Sequence, residues 1–164
     1  MFNFTLQEIV NLTQLLGLII ITGGTITLGA LAAPSLFKNL NREEAGSVMI
    51  EIFSKFDNWI KVSAILILVA KLVDVIYIHK LNFFVQSTVG EELVRSLDTN
   101  MLVSTILVVA IAATSLHIAF KLSPAILESY EADSAQFPVL HKQSEMFHRV
   151  NFLLGVGLLF SFVV

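Results

Sequence analysis

Of 164 residues, 55% are hydrophobic and only 14% charged, with a net charge of -3 and a mean hydropathy of +0.81. So little polar surface does not clothe a soluble globule of this size, and no basic stripe exists for nucleic acid, which is excluded as a partner. The absence of cysteine excludes disulfides, thiolate metal sites, iron–sulfur clusters and thiol catalysis.

Residues 9–37 and 99–120 carry no charged side chain. A helix crossing the hydrocarbon core needs about 20 mostly apolar residues, and both stretches reach that length. The apolar runs are continuous, not alternating, which points to helices and away from a barrel. The expected fold is all-α: a four-helix transmembrane bundle with an amphipathic interfacial helix between spans 1 and 2, forming one integral membrane domain over residues 1–164.

Residues 1–14 hold no basic side chain and so lack the start of a cleavable signal peptide; the first span is expected to be retained. That span covers about 12–33 and stops at Pro34. Thr25, Gly29 and Ala33 repeat every fourth residue after Gly24, a small-residue stripe expected to pack closely on another helix. Ala45, Val48, Met49, Ile52, Phe53 and Phe56 then recur at helical spacing, opposite Glu43, Glu44, Glu51, Lys55 and Asp57. This predicts an interfacial helix over about 43–57, whose polar face is too acidic for attraction to anionic lipid.

Span 2 covers about 59–78 and contains Lys71 and Asp74; span 3 covers about 100–120. Span 4 starts near Pro138 and covers about 139–164, with Arg149 snorkelling. Lys38, Arg42, Lys55, Lys61, Lys121, Lys142 and Arg149 flank the first and third connections, whereas the second has Lys80 and Arg95. This excess places loops 34–58 and 121–138 in the cytoplasm and both termini outside, in what is expected to be a bacterial plasma membrane.

Lys71 and Asp74 lie three positions apart on one helix face, where an isolated charge costs roughly 3 kcal/mol near the centre of a span. The readings are a buried ion pair that orients the helix, a proton or ion relay, or contact with a partner subunit. His79 is placed at the outer end of span 2. His141, Glu145, His148 and Asn151 form a polar stripe on the fourth helix, and His117 ends the third near the same side. Together they offer candidate ligands for haem or a transition metal; the plainer reading is hydrogen bonding to headgroups and backbone. The glycine pairs lie within apolar helices and lack the lysine of a phosphate loop, and no Gly-x-Ser-x-Gly element marks a hydrolase.

Several of these elements, taken in order, resemble a four-span membrane family of unknown function that includes animal transmembrane protein 205 and its bacterial relatives. The matching elements are Gly23-Gly24, Ala33-Pro34-Ser35-Leu36-Phe37, Arg42-Glu43-Glu44-Ala45-Gly46, Phe53-Ser54-Lys55-Phe56, and Leu140-His141-Lys142-Gln143-Ser144 with Asn151. Thr25 and Ile26 depart from the aromatics expected after the glycine pair. The first-helix pattern is also similar to copper-resistance membrane proteins and four-span protoporphyrinogen oxidases. Residues 1–78 contain no histidine, so a haem oxidase activity is not carried over. The main resemblance implies a fold and a topology, not a chemistry.

The function expected from the residues is non-enzymatic binding or handling of a metal, haem or small solute in the membrane. The alternatives are an accessory or structural subunit of a larger membrane complex and a proton-coupled transporter. Expected partners are membrane lipids and either such a complex or a second copy of the chain.

Overall fold

The computed structural model describes residues 5–85, 91–132 and 135–161, with side chains described for 5–77, 99–132 and 135–160. His79, Lys80 and Arg95 therefore lie outside the described side chains.

Helix α1 (Leu6–Asn39) opens with a reciprocal cap. The Glu8 N–H donates to the Thr5 hydroxyl at 3.3 Å, and the Thr5 N–H donates to the Glu8 carboxylate at 2.7 Å. Extended backbone at Leu40 ends it. The Asn41 side chain then accepts the Glu44 N–H at 2.9 Å, and α2 (Arg42–Val85) begins. Helix α3 covers residues 91–131 and α4 covers Phe137–Ser161.

The helices run beyond the expected spans. Helix α1 runs through Pro34 to Asn39, because the turns over Thr27–Ala32 widen to π geometry. That widening accommodates the missing proline N–H and the clash of its ring with the carbonyl four residues back. The same device, a π segment at Ile118–Leu122 ahead of Pro124, carries α3 past residue 120 to Glu131. Residues 43–57 are not a separate interfacial helix but the first third of α2. No glycine or proline interrupts residues 47–85, so the 44-residue helix extends unbroken for about 66 Å.

Each helix is antiparallel to the next. Gln7 meets Asp74 while Gly24 meets Phe56; Lys71 meets Ser104 while Gly46 meets Tyr130; Thr114 meets Asn151 while His117 meets Phe147. Helix α4 closes the ring against α1, where Gly155 lies on Thr22 and Leu18. Leu18, Ile21, Ile67, Ile111 and Leu158 fill the centre.

The close approaches are made by Gly17, against Ile67 and the Ser63 carbonyl, by Gly24, against the Phe56 ring, and by Gly155. Gly29 is not among them: it is exposed, and a Cβ there would meet nothing within 4 Å. Gln14, Gly17, Leu18, Ile21 and Gly24 define the inward side of α1; Thr25 and Ala33 are half-buried, and Gly29 alone of the expected stripe is exposed. Two described helices are long and apolar enough to cross a membrane, Leu6–Asn39 and Thr99–Glu131, with mean hydropathies of 2.0 and 2.1.

Candidate functional site

Asp57, Ile60, Ser63, Ala64, Ile67, Ala70, Lys71 and Asp74 recur at spacings of three and four along α2, and all are buried. One inward face thus carries two carboxylates, an ammonium and a hydroxyl. At its far end the Lys71 ammonium meets the Asp74 carboxylate at 2.8 Å, with 7% and 8% of the two side chains exposed. Lys71 also donates to the Ser104 hydroxyl of α3 at 2.7 Å, and Ser104 in turn donates to the Met101 carbonyl. The other Asp74 oxygen accepts from the Gln7 amide of α1 at 2.8 Å, and Gln7 reaches Asn11 at 3.1 Å.

Gln14, 1% exposed, lies on α1 between Gln7 and Gly17, which are pinned to α2 at Asp74 and Ile67 respectively. Its amide nitrogen is buried with no hydrogen-bond partner among the described residues. The ion pair is thus held by three helices.

Toward the other end of the same face, Asp57 is 5% exposed and accepts from Ser123 of α3. Burial pushes its carboxyl up to about 6, against the opposing pull of Ser123 and Lys61. The Lys61 ammonium itself sits 5.0 Å from the centre of the Phe120 ring.

The histidine set is divided. The His141 Nε2 lies 3.4 Å from Glu145, whose other oxygen is 3.6 Å from Arg149, and this ladder runs along the exposed side of α4. His141 stacks on Phe137 at 5.7 Å, His148 on Phe53 of α2 at 6.5 Å, and His117 on Phe147 at 5.2 Å. Asn151 turns inward instead: its amide donates to Ser115 at 3.0 Å, and its carbonyl accepts from the Thr114 hydroxyl. Among the described residues no three His, Asp or Glu side chains gather to hold a metal ion. The stripe shares a side of α4 by spacing, and its rings and that of His117 each meet a different aromatic neighbour, Phe137 and Phe147 on α4 and Phe53 on α2.

Gln7, Gln14, Ser104 and the burial of Asp57 escaped the reading of the sequence. A signal was present in Gln7, Asn11 and Gln14, which stand at i, i+4 and i+7 on one face at the entrance to an apolar run.

Residues 16–133 match the model of a family described as a domain of unknown function, DUF4149. The chain belongs to the DUF4149 family. The DUF4149 match takes in Asp57, Lys71, Asp74, Ser104 and His117, whereas Gln7, Gln14, His141, Glu145, His148 and Asn151 lie outside it. No curated protein and no solved structure matches the chain.

Proposed function

We propose that the chain is an integral membrane protein of four crossings whose Lys71–Asp74 cluster takes up and releases protons, as the core of a proton-coupled transporter. The placement of side chains supports the membrane. Leu31, Trp59, Leu72, Val139, Leu153 and Phe160 stand outward while Gln14, Ser63, Lys71, Asp74 and Asn151 turn inward, the reverse of a water-soluble bundle. In this reading the crossings are residues 12–33, 59–78, 100–120 and 139–164. The excess of Lys and Arg sets loops 34–58 and 121–138 in the cytoplasm.

The observation that carries the function is the ion pair with its two tethers, Gln7 and Ser104. Apolar packing serves a purely structural role at least as well as buried charges, whereas ionisable groups facing a bundle interior mark ion and proton pathways. Haem or metal ligation by His117, His141, Glu145 and His148 is less favoured, because the rings meet separate neighbours. The test is proton flux into vesicles containing purified protein and an internal pH dye, driven by a potassium diffusion potential. Wild type is expected to acidify the lumen, and Asp74→Asn to slow this by about tenfold or more. Wild-type vesicles that behave like protein-free ones, or an undiminished Asp74→Asn, would overturn the reading.

A second reading, an accessory subunit of a larger membrane complex, is favoured by the exposed Gly29, where a Cβ would meet nothing within 4 Å. Native mass measurement after gentle extraction tests it. A single chain or a homo-oligomer counts against it.

A further inference from the structure

Nearer Asp57, the interior holds a second polar layer that the ion-pair cluster does not use, and every helix contributes to it. Helix α1 supplies Thr22, α2 supplies Ser63, α3 supplies Thr114 and Ser115, and α4 supplies Asn151. Contacts tie the α1, α3 and α4 members together. Asn151 bonds Thr114 and Ser115, and Gly155, one turn along the same face of α4, lies directly against the Thr22 hydroxyl. Ser63 belongs to the inward face of α2, and its carbonyl lies against Gly17, on the same helix as Thr22.

Two hydroxyls of this layer are incomplete. Ser63 is 1% exposed, and neither its oxygen nor that of Thr22 has a hydrogen-bond partner among the described residues. Asn151 and Ser115, by contrast, are bonded to each other and buried. Buried polar atoms of folded proteins are satisfied almost without exception, and where protein supplies no partner an ordered water does. Thr22 also sits within the π segment Ile19–Gly23, the kind of local widening that accompanies functional sites in helices.

We propose that this layer binds water, with ordered molecules bridging Ser63, Thr22 and the Asn151 group. Resting on the proton-handling reading above, it is the half of the route that leads from Lys71 and Asp74 toward Asp57. Along α2, Ser63 lies about 12 Å from Lys71 and about 9 Å from Asp57 on the same buried face. Ile67, packed where Gly17 leaves room, belongs with Leu18 and Ile111 to the apolar core between the two layers. It is the apolar step that a chain of waters has to pass.

Two measurements on protein in phosphatidylcholine vesicles test the proposal. In X-ray hydroxyl-radical footprinting, water bound in place oxidises adjacent side chains, and mass spectrometry locates the product. Leu18, Ile67 and Leu158 are expected to be modified in wild type. The Thr22→Val/Ser63→Ala pair is expected to lower that modification and proton flux together by about fivefold, the worth of one hydrogen bond. Ser63→Thr keeps the hydroxyl and is expected to keep both signals. Absence of modification at these three residues in wild type overturns the water site whatever the flux does. Modification with flux unchanged in the double variant overturns the route while leaving the ion-pair reading intact. Wild-type protein with no flux overturns the proton reading and the route together, and footprinting then decides the water site alone.

Discussion

Gln7 and Asp74, 67 positions apart, are joined by a 2.8 Å hydrogen bond whose acceptor is the carboxylate already held by Lys71. The start of α1 is thereby tied to the place on α2 where, among the described residues, opposite charges are buried. Removing either charge leaves the other uncompensated in the interior. Lys71→Met or Asp74→Leu alone is expected to cost about 3–5 kcal/mol, and the two together less than either. Unfolding of purified protein by added SDS in mixed micelles measures both. Simple addition of the single effects would show that the charges are not coupled.

Asp57 predicts a pH dependence of defined sign. Its folded value of about 6 lies above the ordinary 3.8, so between these limits the folded chain holds the proton that the unfolded chain has released. Stability from this group therefore falls as pH rises from about 4 to about 6 and stays low above that, by about 1–3 kcal/mol. Asp57→Asn is expected to gain stability relative to wild type at pH 7 and little at pH 4. A difference between the two proteins that does not change across this window would remove burial as the cause.

Gly17 and Gly29, one buried and one exposed on the same helix α1, separate packing from propensity. Gly17→Ala drives a methyl toward Ile67 and the Ser63 carbonyl, and should destabilise by about 1–3 kcal/mol. Gly29→Ala meets open space and is expected to be neutral or stabilising by up to about 1 kcal/mol through helix propensity. Thermal midpoints of the two variants in the same detergent decide between them.

Chelation predicts a null effect. Since His117, His141 and His148 stack on separate aromatic rings, dialysis against a chelator is expected to leave the melting temperature unchanged. A drop restored by zinc or copper would show that the rings converge on an ion.

The sequence made much of this legible where information is local. The uncharged run 9–37 and the three-residue spacing of Lys71 and Asp74 declare a helix and a shared face. The expected stop at Pro34 failed because the stop rule weighs one turn at a time while the π segment Thr27–Ala32 absorbs the proline. For the histidine stripe the missing information is not local. Spacing places His141 and His148 on one side of α4, but Phe53 and Phe147, which receive the rings of His148 and His117, are known only once the helices pack. Gln7 and Ser104 are partners of the ion pair for the same reason: they come from other helices.

The continuity of α2 turns it into a lever. Its Gly46 end rests on Tyr130 of α3, whose hydroxyl donates to the Glu43 carbonyl at 3.4 Å. That contact lies 25 residues from Lys71, about 38 Å along a rod without a joint. A tilt of about 5° at the charge pair would swing the Gly46 tip by about 3 Å, roughly a full atomic diameter. Protonation deep among the coils would thus be announced at a remote fingertip, where a distance probe on Gly46 and Tyr130 reads it without touching the interior.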